Sequence, residues 1–434
     1  MGGTTERSVE TDVILFYLYK HLGEEGARIL AEEQRSIGAN LSLVGRVLVA
    51  PEGINGTVQG DFVAISKYKR AVEDSLNAKL DWKHSRGGSS DLFPDFVIKE
   101  VKEIVSFGLP DQAFGDRPLD VDADGGEHLH PTDFHRLLNE TPSEQLVLVD
   151  VRNSFEYEIG HFDKAANPGM THTAQWPQYV EKHLEEFRGK TVMLYCTGGI
   201  RCEKASAVLH RRLTDTESAE STNLDTCRES KNGKHDTKVY QLQGGIHRYL
   251  EAFPDGGLFR GSNFSFDRRI VQPHGTADAE TIGMCSECNK PWGMHHGGRV
   301  CCVCRKLVLV CDACDESSNH GEYWCSDHVE LRHVYYYFID RFGVEELTRQ
   351  FSALDSLLAS QQGKNRRATL RKKMQQLEAR ITELRNAGLS GPPTIPPRRC
   401  RACSQSYLSC PGTCWGFWRS PSAHCKTESA SGLQ

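Results

Sequence analysis

Apolar residues fall in short blocks along the first hundred positions, and their spacing alternates between two periods. Val13–Tyr19 (VILFYLY) is an unbroken apolar run of strand length. Glu24–Gly38 places Ala27, Leu30, Ala31 and Ile37 at helical spacing and reaches a glycine, a common helix stop. Leu43–Ala50 and Gly53–Val58 predict two strands joined by a turn at Pro51-Glu52-Gly53. Asp61 is a suitable N-cap for a helix running to about Leu80. A last strand is expected inside Phe93–Val105. The order β-α-β-β-α-β is the split βαβ arrangement, so residues 11–110 predict a ferredoxin-like domain.

The pattern changes beyond Asp111–Glu127, an acidic, Gly-containing stretch that reads as a linker. Leu146–Val151 (LVLVDV), Thr191–Tyr195 (TVMLY) and Val239–Leu242 are short continuous apolar runs of the parallel-strand type. Helical segments are expected from Pro131, over Gln178–Phe187, over Cys202–Leu213 and from Gly245. Alternating strands and helices predict a parallel α/β domain over residues 128–256. Polar Thr214–Lys238 reads as a surface insertion. Toward the C-terminus, Leu347, Phe351, Leu354 and Leu358 make one helical stripe. Leu370, Met374, Leu377, Ile381 and Leu384 make a second with heptad-like spacing. Gln361-Gln362-Gly363 interrupts them, so residues 340–390 predict a helical hairpin.

At 434 residues the chain exceeds one ordinary domain. No apolar run approaches the roughly 18 residues that span a bilayer. Met1–Glu6 has neither the basic nor the apolar region of a secretory signal. Glu6 also stands where myristoylation wants Ser or Thr. The expectation is a cytoplasmic protein without a membrane partner; organellar import and oligomeric state stay open. The net charge of −6 excludes a uniformly basic nucleic-acid coat but permits a local basic patch.

Of 16 cysteines, only Cys196, Cys202 and Cys227 precede residue 280. Such clustering suits metal binding or an isolated nucleophile in a reducing compartment, not a disulfide scaffold. Cys196-Thr197-Gly198-Gly199-Ile200-Arg201-Cys202 links a buried strand to a helix. A loop with Gly198 and Gly199 can turn its amides inward, and a helix N-terminus and Arg201 add positive potential. A cysteine in that field is a thiolate near neutral pH and a candidate nucleophile. The alternative is a small buried cysteine at a strand end.

C-x-x-G-x-R after a strand, with Asp150-Val151-Arg152 and Gly160-His161-Phe162 upstream, resembles the rhodanese fold. That resemblance implies a loop cysteine that carries sulfur as a persulfide. It also implies that Asp150 and Arg152 brace the loop, unless they form a purely structural ion pair. His161 reads as a packing residue. Further strings extend the match: Pro51–Thr57 (PEGINGT), Val101–Val105 (VKEIV), Glu156–Phe162 (EYEIGHF), Asn167-Pro168-Gly169, Cys196–Lys204 (CTGGIRCEK), Gln243–Ile246 (QGGI) and Phe266–Arg269 (FDRR). Together they resemble the tRNA uridine(34) hydroxylase family, which includes eukaryotic thiosulfate sulfurtransferase/rhodanese-like domain-containing proteins. The resemblance covers about residues 11–330. It implies hydroxylation at C5 of the wobble uridine, with molecular oxygen as co-substrate and tRNA as partner. No flavin, haem or nucleotide motif is visible. A Cys196 thiolate can add to C6 of uracil and enrich C5 in electrons. Cys202 either resolves an oxidised Cys196 or packs in the first helical turn. The alternative functions are a thiosulfate or persulfide sulfurtransferase through Cys196, and a non-catalytic RNA- or protein-binding scaffold.

Cys285-x2-Cys288, Cys301-x2-Cys304, Cys311-x2-Cys314 and Cys325-x2-His328 supply eight ligands within residues 260–330, enough for two tetrahedral Zn²⁺ ions. The sequence leaves their pairing open, and Cys302 is left over. RNA contacts are expected at Asn55, in a glycine turn whose amides suit a phosphate. They are also expected at Lys364, Arg366, Arg367, Arg371, Lys372 and Lys373. These six belong to a stretch, 364–399, with ten Lys/Arg against two Glu, net +8. Residues 391–434 form a Cys- and Pro-rich tail, expected to be disordered. The fold expected overall is multidomain α/β. A ferredoxin-like (acylphosphatase-like) domain precedes a rhodanese domain, a Cys-rich zinc segment and a basic helical hairpin.

Overall fold

A computed structural model describes residues 11–88, 92–109, 113–114, 117–222, 237–272, 280–317 and 322–389. The 391–434 tail lies outside these residues. The chain divides into two units, Met1–Ile282 and Gly283–Gln434.

The first unit opens with β1 (Thr11–Tyr19), α1 (Gly23–Asn40), β2 (Val44–Ala50), β3 (Gly53–Gly60), α2 (Phe62–Leu76), β4 (Lys83–Gly88) and β5 (Phe96–Glu100). The sheet order is β4-β1-β3-β2-β5. Phe16, Val47, Ile54 and Val58 face Ala27, Leu30 and Ala31 of α1 and Ile65, Tyr68 and Val72 of α2. Each large apolar side chain removed from water contributes roughly 1.5–3 kcal/mol. The Asp61 carboxylate caps α2, accepting from the Val63 and Ala64 amides at 2.8 and 2.7 Å. Left-handed Asn77 ends that helix, a turn before the expected Leu80.

Three sequence expectations change here. The strand that completes the ferredoxin order is β4, paired antiparallel with β1. Its KHSRGG sequence is polar and carries no strand periodicity. β5, inside Phe93–Val105, is an added edge strand parallel to β2. Gly38 does not stop α1; a Cβ there would lie 2.0 Å from the Phe96 ring, so the glycine makes room for helix-on-strand packing. Gly53-Ile54-Asn55-Gly56 is not a turn but part of β3, laddered to β1 and β2. Amides committed to a ladder cannot also cradle a phosphate.

The second domain contains α3 (Val121–Asp124), β6 (Glu127–Leu129), α4 (Pro131–Glu140), β7 (Leu146–Asp150), α5 (Ser154–Tyr157), β8 (Gly160–Phe162), α6 (Trp176–Phe187), β9 (Thr191–Tyr195), α7 (Ile200–Thr222), β10 (Lys238–Leu242) and α8 (Gly245–Ala252). Its parallel sheet runs β6-β10-β9-β7. The expected 111–127 linker therefore holds α3 and the start of β6, an edge strand too short to show a period. The expected 214–238 insertion begins as a continuation of α7. β11 (Phe259–Gly261) pairs with β8, and β12 (Asn263–Phe264) with β13 (Val271–Gln272).

The second unit carries α9 (Asp312–Ser317), α10 (Val344–Ser360) and α11 (Lys364–Asn386). Leu347 and Leu354 of α10 meet Leu370, Leu377, Ile381 and Leu384 of α11, as the two stripes predict. The same core takes in Cys302, Trp324 and Leu331, so hairpin and Cys-rich segment share one interior.

Candidate active site and metal sites

β9 delivers Cys196 to the end of the parallel sheet, and α7 starts four residues later at Ile200. The loop between them turns around the sulfur, and the Gly199 amide donates to Cys196 Sγ at 3.1 Å. Gly199 has φ +99°, which a side chain rarely tolerates. The Gly244-Gly245 turn presses against the loop from behind. A Cβ on Gly245 would stand 2.5 Å from the Cys196 carbonyl oxygen. The Ile246 and His247 amides, at the start of α8, donate to the Cys196 and Thr197 carbonyls at 2.9 and 3.0 Å. The QGGI string thus serves as the loop's support.

Cys196 is fully buried. Burial alone would push its thiol up. A hydrogen bond from Cys202, the Arg201 charge and the Arg201 and Cys202 amides outweigh that and bring it down to about 5. The Cys202 thiol moves the opposite way, well above its ordinary value, through burial and the neighbouring Cys196. A proton therefore resides on Cys202 while the charge resides on Cys196.

The arginines are braced by carboxylates. Arg152 Nε donates to Asp150 at 2.9 Å, and its Nη2 reaches the Gly160 carbonyl at 2.5 Å. Both partners of this pair are buried. Arg201 forms a two-pronged pair with Glu156, at 2.6 and 2.8 Å, and donates to Thr197 Oγ1 at 3.0 Å. The Phe266 ring lies 5.6 Å from its guanidinium. Arg201 is thus fixed to a fully buried carboxylate, with its charge close to the thiolate. His161 stacks on Tyr157 at 3.8 Å, and its Nδ1 lies 2.9 Å from the Tyr157 carbonyl, a packing arrangement.

The acylphosphatase-like sheet closes over the loop. A Cβ on Gly198 would meet Leu15 at 2.7 Å, and one on Gly199 would meet the Tyr17 hydroxyl at 2.8 Å. Tyr17 donates to Glu203 at 2.9 Å and Tyr19 to the Ile200 carbonyl at 3.3 Å. Buried Lys83 of β4 pairs with Asp81 at 2.8 Å and lies 5.0 Å over the Tyr17 ring. Lys204 Nζ reaches both Glu52 and Glu103 at 2.8 Å. Glu52 in turn accepts from the Ile104 amide at 2.8 Å. Three separate strings, PEGINGT, VKEIV and the end of CTGGIRCEK, converge at this one ammonium group. Sequence reasoning did not single out Glu156, Tyr17, Tyr19, Lys83, Glu203 or Lys204. Glu156, Glu203 and Lys204 stood inside quoted strings, Glu156 as a charge between Phe155 and Tyr157, which is a usable signal. The two tyrosines and Lys83 sit far away in the chain, and nothing local marks them.

The Cys-rich segment brings its ligands together in two groups: Cys285, Cys288, Cys311 and Cys314; and Cys301, Cys304, Cys325 and His328. The first ligand pair joins the third and the second joins the fourth, so the sites interleave. Cys285–Lys290 and Cys301–Lys306 are matching knuckles. In each, the first cysteine's amide bonds to the closing lysine carbonyl at 2.8 Å, and Asn289 or Arg305 takes a left-handed φ. Sulfur separations of 3.8 Å for Cys288–Cys311 and 3.6 Å for Cys304–Cys325 match the edge of a tetrahedron with arms of about 2.3 Å. The donor sets therefore fit a tetrahedral, sulfur-preferring metal ion. Cys302 donates instead to the Tyr335 carbonyl.

The expected RNA contacts are dispersed. The Asn55 amide donates to the Ile104 carbonyl at 3.2 Å. Arg366 pairs with Glu330, Arg367 caps α10 through the Leu358 and Gln361 carbonyls, and Lys373 is buried. Lys364, Arg371 and Lys372 are exposed.

Three family models match the chain: an acylphosphatase-like domain (UPF0176) at residues 11–104, a rhodanese-like domain at 130–252 and a rhodanase C-terminal region at 260–328. A tRNA uridine(34) hydroxylase of Corynebacterium jeikeium is 33% identical over 75% of this chain and 98% of its own length. One from an Arthrobacter species is 35% identical over 70% of this chain and 94% of its own. Rhodanese-like domain-containing protein 6 of Arabidopsis thaliana is 32% identical over 70% of this chain, which spans half of that plant protein. The domain order, the cysteine loop and this similarity over nearly the whole length of the bacterial relatives agree: the chain belongs to the tRNA uridine(34) hydroxylase family.

Proposed function

We propose that this protein hydroxylates C5 of the wobble uridine of tRNA, with Cys196 as nucleophile and molecular oxygen as co-substrate. The observation that carries the reading is a buried thiolate, held at about 5 and enclosed by a second domain, in a chain of this family. Cys196 Sγ adds to C6, and the C5–C6 π pair moves toward the C4 carbonyl, leaving C5 nucleophilic toward oxygen. Uridine, oxygen, two electrons from a separate reductant and two protons then give 5-hydroxyuridine and water. Loss of the C6–S bond returns the thiolate. Asp150–Arg152 and Glu156–Arg201 hold the loop, and enclosure keeps water from the adduct. The two Cys-rich sites hold structural Zn²⁺ in this reading, which also places the protein with the cytoplasmic tRNA pool.

A sulfurtransferase reading is favoured by one observation: the amide that meets Cys196 Sγ would equally meet a persulfide. Mass spectrometry of tRNA nucleosides from cells lacking the protein separates the two. Hydroxylation predicts loss of 5-oxygenated uridine, restored by the wild-type chain and not by Cys196→Ser. Loss of 2-thiouridine instead would establish sulfur delivery.

A further inference from the structure

The second unit contains a groove for which the proposed reaction has no use. One wall is the Cys301–Lys306 knuckle, which presents Arg305; the other is a face of α11, which presents Lys372 and Lys373. Tyr335, Tyr337 and Phe338 line the space between. The Lys373 ammonium lies buried, 5.0 Å over the Tyr335 ring. Arg305 and Lys372 are exposed, and among the described residues neither forms an ion pair. Tyr337 is 37% exposed, beside Phe338 with ring centres 5.0 Å apart. The aromatic pair is fixed from below, because the Tyr337 and Phe338 amides both donate to Glu322, at 3.0 and 2.7 Å. Asp340 is the one acid in the lining, against three cations.

Aromatic faces on an anchored backbone, bordered by Arg305 and Lys372, suit a single-stranded nucleic acid, whose bases stack while its phosphates meet the charges. We propose that this groove binds a single-stranded segment of tRNA, with phosphates on Arg305 and Lys372 and a base on Tyr337. The inference rests on tRNA being the substrate. It also divides the basic helix. Thr369, Lys372, Lys373 and Gln376 follow helical spacing along the groove, whereas Lys364 and Arg371 fall on the opposite side at 100° per residue.

That division supplies a charge-matched control. Binding of an unmodified tRNA transcript to the full chain is measured against salt for wild type, the double variant Arg305→Ala/Lys372→Ala, the double variant Lys364→Ala/Arg371→Ala, and Tyr337→Ala. Metal content and circular dichroism check that each is folded. The groove pair should weaken binding roughly ten-fold and lower the salt slope by about two, one per phosphate contact. Tyr337→Ala should weaken binding about ten-fold at unchanged slope. The Lys364/Arg371 pair should leave the slope near wild type. Equal losses for both charge pairs would reduce the effect to diffuse helix charge and overturn the groove. So would wild-type behaviour of the groove pair, or competition by polyglutamate as effective as by RNA, which would assign the groove to an acidic peptide. Nucleoside analysis tests the reaction separately: tRNA binding through the groove without uridine oxidation would remove the hydroxylase reading alone.

Discussion

At the scale of single residues, the site separates charge from proton between two cysteines. Cys196 carries the charge because amide donors, the Cys202 thiol and Arg201 oppose the effect of burial. Its alkylation rate should therefore reach a plateau above about pH 5 and fall below it as the thiolate is protonated. An ordinary cysteine would instead still be gaining reactivity near pH 8.5. Cys202→Ala removes one donor, so the midpoint should move upward; a midpoint unchanged by that substitution would remove Cys202 from the charge balance. Arg201 was legible as a cation near the sulfur, but its partner was not. Glu156 is 45 positions away in the chain, and only folding brings the two within 2.6 Å. The pair also shows why Arg201 cannot be exchanged freely. Removing one partner of a buried ion pair leaves an uncompensated charge, at a cost of about 3–5 kcal/mol.

At the scale of elements, the first turn of α7 holds two domains together. Glu203 takes the Tyr17 hydroxyl, and Lys204 ties Glu52 to Glu103. The thiol beneath is closed off, so a reagent of any size reaches it only when the sheet lifts. Lys204→Ala should raise the rate of Cys196 alkylation about ten-fold or more while leaving its pH midpoint in place, because local opening changes access and not the loop's donors. An unchanged rate in stopped-flow labelling would show that the clamp does not limit access. The sequence exposed most of these elements through periodicity. β4 and β6 escaped it because edge strands take their hydrogen bonds from a neighbour and need no apolar alternation. Gly38 and Gly53 looked like punctuation because a glycine that stops a helix and one that admits a neighbouring ring or backbone are the same letter.

At the scale of the whole molecule, the two units answer to different forces. The first rests on apolar cores behind two sheets. The second adds two interleaved ligand groups to a core shared with the hairpin. Because the groups interleave, a metal ion held by one could not leave without loosening the loops of the other. Chelation should release two equivalents of metal in one cooperative step, and the α10–α11 helical signal should fall with it, while Cys196 keeps its reactivity. Stepwise release with an intact hairpin would show the sites to be independent. The sequence by itself determined most of the element types and marked the candidate nucleophile and the eight candidate metal ligands, since each depends on spacing within a few residues. The tertiary structure decided what faces what: the pairing of ligand groups, the carboxylate behind Arg201 and the sheet that covers Cys196. Those depend on packing between segments up to about 190 positions apart, which local periodicity does not encode.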